Sequence, residues 1–254
     1  MKINSDTELV SIIIPYYKKR NYIKKTINSI LEQSYQKFEI IIIYDDESKV
    51  DYAYLKELVM KDERVKILVN DQRLGAGLSR NKGIDQSKGS FIAFIDADDI
   101  WKKDKLEIQI NYMKKNQSIF SHTSYDIINK NDDIIGFRKA RTFLKTNDII
   151  KSCDIGLSTV IFKKKIKDLD LKFVDLKTKE DFVLWLKILD KNIRLDSIDK
   201  PLTSWRKLEG SLSSSTIQKL FDAFLVYNKF MNFNLIKSFY YVFCLSINYL
   251  IKSR

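Results

Sequence analysis

Hydrophobic positions along the chain fall into short dense runs separated by stretches of helical spacing. Residues 9–14 (LVSIII), 38–44 (FEIIIIY), 65–69 (VKILV) and 91–95 (FIAFI) are near-continuous apolar runs. That is the pattern of strands covered on both faces, as in a parallel sheet. Pro15 is expected to end the first run, because proline cannot donate to a central ladder. Between the runs, Ile23, Ile27, Ile30 and Leu31 predict a helix over 22–33. A second helix is expected over 53–61, and Leu106, Ile110 and Met113 mark another over 103–115. Strand, helix, strand within this length is a right-handed crossover with parallel strands. The first hundred residues therefore predict an α/β fold with a mostly parallel central sheet flanked by helices.

The pattern changes further on. Residues 119–128 and 134–139 read as strands joined by a polar turn at 129–133. A short helix is expected over 146–153 and a strand over 159–162. A strongly apolar helix with Phe182, Leu184, Trp185, Leu186 and Leu189 follows Glu180 and Asp181. The segment 201–215 (PLTSWRKLEGSLSSS) reads as a polar loop. The last helical stretch, 239–251 (FYYVFCLSINYLI), is aromatic and bracketed by Lys237 and Lys252. These features divide the chain into a domain over 1–215 and a basic, aromatic helical tail over 216–254.

Composition narrows the classes. An apolar content of 44% in 254 residues supports a sizeable core. Cys153 and Cys244 lie far apart and in no metal-ligand spacing, which suggests a reducing compartment without a disulfide framework. The opening MKINSDTELVSIII has too short an apolar run for a signal peptide. No apolar segment reaches the ~20 residues that span a bilayer. The formal charge of +12 raises nucleic acid as a partner, but the lysines are scattered and no Arg-rich arm, zinc finger or aromatic RNA-binding signature accompanies them. No nucleic-acid partner is expected. An anionic membrane surface is the better match, since 201–254 carries seven Lys or Arg against two Asp or Glu beside its aromatic stretch. That stretch reads either as an interfacial helix or as a terminal helix packed on the domain.

Chemistry concentrates where strands end. The run 91–95 leads into Asp96, Ala97, Asp98 and Asp99, and the run 38–44 into Asp45, Asp46, Glu47 and Ser48. Clustered carboxylates repel unless a cation or strong donors sit among them. Residues two apart in extended chain share a side, so Asp96 and Asp98 can face one ligand. Oxygen-only ligands suit a hard divalent ion whose remaining partners are phosphates and water. The other reading is a solvated acidic turn capping a helix. Carboxyl ends of strands are where open α/β sheets bind ligands, so Asp46, Asp96 and Asp98 are expected to be neighbours. Gly75 and Gly77 precede a helix with Ser79, Arg80 and Asn81; the spacing is not a dinucleotide fingerprint. It suits close backbone approach to a ligand, or a plain helix start. Glu180 and Asp181 suit either a helix start, where acids are favoured, or a general base beside a cleft. Trp205 and Arg206 suit contact with phosphate or sugar, or an ordinary surface loop. His122, the single histidine, is expected to be structural.

Taken in order, VSIIIPYY, EIIIIYDDES, GLSRNKGI, FIAFIDADDIWKKDKLEIQ, KEDFVLWLKIL and SWRKLEGSLSS resemble the family 2 glycosyltransferases of the GT-A fold, a Rossmann-like architecture. The resemblance covers about residues 9–215 and is strongest toward bacterial enzymes of O-antigen, capsule or teichuronic acid synthesis. It implies that Pro15 and Tyr17 line the nucleotide pocket and that Asp46 accepts from a uracil or thymine ring N–H. It places Arg80 near the diphosphate, Asp96 toward the ribose and Asp98 on a metal, Mn2+ or Mg2+. Asp181 becomes the catalytic base, with Glu180 its neighbour, and Trp205 and Arg206 belong to a loop over the donor phosphates. Two positions depart from the family. Leu208 stands where many relatives have a histidine able to complete the metal shell, and Glu47 where they carry Gly or Asn; nothing physical explains Glu47.

The expected activity is an inverting transfer from a UDP- or dTDP-sugar to a hydroxyl of a glycan or lipid-linked oligosaccharide. It would take place at the cytoplasmic face of the inner membrane. A nucleotidyltransferase is the enzymatic alternative, but VSIIIPYYKKR lacks the glycines of a triphosphate loop. A catalytically silent binding module is the other, and intact Asp46, Asp98 and Asp181 argue against it.

Overall fold

The computed structural model describes residues 8–208 and 215–252. Strands β1 (Val10–Tyr16), β2 (Phe38–Tyr44), β3 (Val65–Val69) and β4 (Phe91–Phe94) alternate with helices α1 (Arg20–Leu31), α2 (Lys49–Val59) and α3 (Ala76–Gln86). Then come β5 (Ile100–Trp101), α4 (Lys105–Lys115), β6 (Phe120–Ile128), β7 (Ile134–Arg138), α5 (Thr146–Ile149) and β8 (Ile161–Lys163). The chain closes with α6 (Glu180–Asp190), β9 (Leu195–Arg206), α7 (Thr216–Leu225) and α8 (Leu235–Lys252).

Among the described residues the strands form one sheet in the order β3-β2-β1-β4-β8-β6-β9-β5, with β7 paired to β6. The half from β3 to β4 is parallel, and β8 and β5 run antiparallel to their neighbours. This is the expected α/β architecture. Because β2 and β3 build outward on one side of β1 and β4 on the other, the order reverses at the carboxyl ends of β1 and β4. A ligand crevice belongs there.

The apolar runs are explained by burial on both faces. Successive side chains of a strand point to opposite faces. Ile12, Ile14, Ile40 and Ile42 pack under α1, α2 and α4, with Ile23, Ile27, Leu55 and Leu106. Ile13, Ile41 and Ile43 pack on the other face with Ile84 of α3 and with Phe182, Trp185 and Tyr227. The inner sides of α7 and α8 join this second cluster through Ala223 and Leu245, and Val226, just after α7, joins it too.

Four expectations are corrected. Pro15 does not end β1; it pairs with Ile43 inside the strand. Ile13 points its carbonyl to β4, accepting from Ile95 N at 3.2 Å, and residue 15 faces the same way. The β1–β4 pairing stops at Ile13 and Phe94, so the N–H that proline lacks has no ladder to serve. The loop over 201–215 is also corrected through Arg206, because 195–206 is strand β9, parallel to β6. Its buried residues include Thr203 and Ser204, which face Tyr125 and Asp126, and a strand so polar shows little apolar alternation. Residues 209–214 of the SWRKLEGSLSS motif lie outside the described residues. The helix over 53–61 starts earlier, at Lys49, capped by the Ser48 hydroxyl accepting from Asp51 N at 3.1 Å. The helix over 146–153 shortens to Thr146–Ile149.

Candidate active site

The two acids that end β2 leave on opposite sides. Asp45 is buried: Oδ1 accepts from Asn70 Nδ2 and Leu74 N, and Oδ2 from Gly75 N, each at 2.8 Å. Gly75 has φ +82°, a conformation that costs a side-chain-bearing residue dearly. Asp45 thus fixes the turn that launches α3. Asp46 stays partly exposed. Its Oδ2 accepts from Lys18 N at 2.9 Å and its Oδ1 from Ser48 N at 3.2 Å, which ties the end of β2 to the loop after β1. The Arg73 guanidinium, from the connection between β3 and α3, lies over the ring of Tyr17 in that loop, 4.0 Å from its centroid, and Pro15 stands just before the loop in β1.

The turn after β4 sorts its three acids. Asp99 is fully buried, accepting from Ser158 Oγ at 2.5 Å and Arg206 N at 2.8 Å. Burial pushes its carboxyl well above the usual carboxylate range, helped by Asp98 and Asp96. Asp98 is mostly buried, and its Oδ2 lies 2.6 Å from Lys19 Nζ. Burial raises its carboxyl too, against the pull of Lys19. Asp96 is partly exposed, and its Oδ1 accepts from Arg80 Nη2 at 2.8 Å.

Arg80, on α3, is 3% exposed and reaches across the cleft. Its Nη1 donates to Glu180 Oε1 at 2.5 Å while Nη2 holds Asp96. The close approach of α3 to α6 depends on Gly77: a Cβ there would stand 2.9 Å from Val174 O and 3.1 Å from Glu180 Cγ. Glu180 opens α6. Burial pushes its carboxyl up to about 7, Arg80 pulling down and Asp181 adding to the rise. Asp181 follows, raised by burial against the pull of Lys179 and Arg80. Phe182 N donates to its Oδ1 at 2.7 Å, and among the described residues Oδ2 carries no hydrogen bond. An anchored carboxylate with one open oxygen and a raised pKa suits proton abstraction.

The structure therefore brings Asp46, Asp96, Asp98, Arg80, Glu180 and Asp181 to one cleft, with Lys18 and Lys19 holding Asp46 and Asp98, and Arg80 joining Asp96 to Glu180. It places Arg206 behind that cleft. Arg206 is 3% exposed, with Nε donating to Asp98 O and Nη1 to Asn129 O, both at 2.8 Å, and Nη2 lies 2.5 Å from Asp132 Oδ1. Trp205 stands beside it on β9, opposite Ile127 and partly exposed. His122 is structural as expected: buried, stacked on Phe143, its Nε2 3.0 Å from Arg141 O.

Sequence reasoning missed Lys19, Arg73, Asp45 and Ser158. Adjacent acids at a strand end must face opposite ways, so a buried partner for Asp46 was foreseeable. Lys19 stood in a KKR run indistinguishable from other surface lysines, and nothing flagged Ser158.

A divalent ion needs several oxygen ligands. Asp96 is engaged by Arg80, Leu208 brings no donor atom, and among the described residues no group of three His, Cys, Asp or Glu is arranged to hold a metal. Asp98 is a hard carboxylate at the crevice, so it fits a cation as a single protein ligand completed by phosphate and water.

The burial of Glu180 has a pH signature. Glu180 keeps its proton to about pH 7 when folded and loses it near ~4.3 when unfolded. Folding takes up a proton between these values, so this contribution to stability is full below the lower value and lost as pH rises through the upper one. Urea unfolding across this window should show Glu180→Gln gaining stability relative to the parent as pH rises. Parallel curves for the two proteins would contradict the assignment.

Comparison with known proteins agrees with this geometry. The family described as Glycosyl transferase family 2 matches residues 11–168. The chain is 38% identical over 217 residues to the Escherichia coli UDP-Glc:alpha-D-GlcNAc-diphosphoundecaprenol beta-1,3-glucosyltransferase WfgD, covering 85% of this chain and 83% of that one. It superimposes on S. aureus TarS 1-349 in complex with UDP-GlcNAc with a TM-score of 0.73 at 23% identity, covering 87% of this chain and 65%, just under two thirds, of that one. A mannosyltransferase, PcManGT from Pyrobaculum calidifontis in complex with GDP-Man and Mn2+, superimposes with a TM-score of 0.67 at 13% identity, covering 89% of this chain and 64% of that one. These two likenesses are of fold. The matched family spans more than half of the chain, and a relative well above 30% identity spans most of it, so the chain belongs to glycosyl transferase family 2 and is a glycosyltransferase of the GT-A fold.

Proposed function

We propose that the chain transfers a sugar, with inversion, from a UDP- or dTDP-sugar to a hydroxyl of a glycan or lipid-linked oligosaccharide in bacterial surface polysaccharide synthesis. The observation that carries this is that Asp46 and Asp98 are held by neighbouring residues Lys18 and Lys19 of one loop, while Arg80 bridges Asp96, two residues before Asp98, to Glu180, the neighbour of Asp181. Asp46 and Tyr17 lie at the end suited to the nucleoside base, and Pro15 backs them. On this reading Asp96 faces the ribose. Asp181 stands at the far end, where the acceptor enters.

Asp181 takes the proton of the acceptor hydroxyl through its open oxygen. The hydroxyl oxygen bonds to the anomeric carbon from the face opposite the diphosphate. The carbon–oxygen bond to the diphosphate breaks, and its electron pair stays on the phosphate oxygen. Arg80, beside Asp96, lies where that charge grows. When bound through Asp98, the diphosphate and water, a divalent cation, Mn2+ or Mg2+, supplies further positive charge there. Arg206 contributes from behind by fixing the carbonyl of Asp98, and Trp205 borders the same strand end. Glu180 holds Arg80 in position.

The same reading accounts for the outer face of the tail. Ile236, Phe239, Phe243, Ile247 and Leu250 of α8 and Ile217 and Phe221 of α7 are exposed. Phe224 and Phe239, with ring centroids 5.1 Å apart, join the two helices. Lys219, Lys237 and Lys151 lie over Tyr249, Phe233 and Tyr240 at the margin of this surface. Among the described residues no helix is long and apolar enough to cross a membrane. An apolar, aromatic face rimmed by lysines suits the surface of an anionic bilayer.

Two experiments test these readings. Asp181→Asn should bind UDP as the parent does and lose ~10²–10⁴-fold in transfer rate, measured by UDP release with acceptor present. Full activity would remove Asp181 from the role. The protein should co-sediment with vesicles containing phosphatidylglycerol, and Phe239→Asp with Phe243→Asp should abolish sedimentation while sparing UDP binding. Equal sedimentation of the two proteins would exclude this face.

A further inference from the structure

The loop between β1 and α1 is shaped so that one ammonium reaches the acid turn. Lys18 sits at φ +51°, left-handed backbone that L residues seldom adopt. The Asp46 carboxylate holds its N–H at 2.9 Å. Lys19 follows as the N-terminal boundary residue of α1, where its side chain caps nothing. Its Nζ ends 2.6 Å from Asp98 Oδ2, with the side chains 24% and 12% exposed. Asp98 is otherwise held through its backbone, by Arg206 Nε at its carbonyl. Lys19 is thus the described side-chain partner of the Asp98 carboxylate.

A divalent ion held through the Asp98 carboxylate would have to share it with this ammonium. Cations of like sign on one carboxylate oxygen repel, and partial burial weakens the screening between them. We propose that Lys19 is the resident counter-ion of Asp98, competing with a divalent cation for it and moving to the donor diphosphate when the cation enters. The proposal rests on the glycosyl-transfer reading of the same cleft. A free cation must break the Lys19–Asp98 pair and leaves the ammonium without a partner. With a nucleoside diphosphate present, the displaced ammonium meets phosphate oxygens, to which its four-carbon stem gives it reach. Cation and diphosphate therefore raise each other's affinity, and by linkage the two enhancements are equal. The missing donor at Leu208 strengthens the effect, because the protein gives the cation little else to hold.

The test uses the full chain with Mn2+ and UDP as probes. Free Mn2+ is counted by electron paramagnetic resonance, and UDP binding is measured by calorimetry with and without a chelator. The parent should bind Mn2+ weakly alone and at least about ten-fold more tightly with UDP, the scale of one charge-assisted contact. Lys19→Met should bind Mn2+ alone about ten-fold more tightly than the parent and show a smaller enhancement by UDP, keeping only what direct coordination of the cation by phosphate supplies. Lys19→Arg, which keeps the charge, should keep the enhancement. Unchanged Mn2+ affinity in Lys19→Met, or no Mn2+ uptake by either protein, overturns the role of Lys19. A parent that does not bind UDP at all overturns the glycosyl-transfer reading instead, so the two failures are distinguishable.

Discussion

Arg80 joins the two halves of the cleft with a single guanidinium. One nitrogen holds Asp96, at the end of a sheet strand, and the other holds Glu180, at the start of α6. Removing three charges from water is expensive, and their mutual attraction offsets that cost only when geometry and hydrogen bonding are both good. Here the planar fork of arginine meets two carboxylates on separate nitrogens. The cost still shows at Glu180, where burial outweighs the attraction of Arg80 and lifts the carboxyl toward neutrality. The rest of the site depends on this contact. It sets how far α6 stands from β4, and so where Asp181 sits relative to the acids of the strand ends.

Around it, the acids divide into those that fix backbone and those that face the cleft. Asp45 secures the turn into α3 with three hydrogen bonds. Asp99 secures the end of β9 and Ser158. Their neighbours Asp46 and Asp98 are thereby held on stiff turns, each next to a lysine of the loop after β1. One member of each acidic pair positions the other, which is the preorganisation that charge stabilisation in a transfer reaction requires. Arg206 belongs with the positioning set: its contacts are to Asp98 O, Asn129 O and Asp132.

Much of this was legible in the sequence. The isoleucine runs of β1 and β2 could only be strands buried on both faces, and acids placed directly after two such runs had to meet at one sheet edge. Asp181 was recognisable beside Glu180 at a helix start. What escaped was polar or positional. The interior of β9 is Thr203 and Ser204 facing a similarly polar β6, so no apolar period announced it. Pro15 looked like a terminator because the sequence does not say which edge of β1 goes unpaired. Lys19 was hidden among lysines of identical type, since only the left-handed turn at Lys18 gives it its direction.

The central claim is that the Arg80–Glu180 contact carries a coupling between the acids at the strand ends and helix α6. A double-mutant cycle with Arg80→Met and Glu180→Gln, read as unfolding free energy in urea, measures it directly. A coupling of about 1–3 kcal/mol is expected, because each single change leaves the other group buried without its partner. Additive effects, within about 0.5 kcal/mol, would contradict the account.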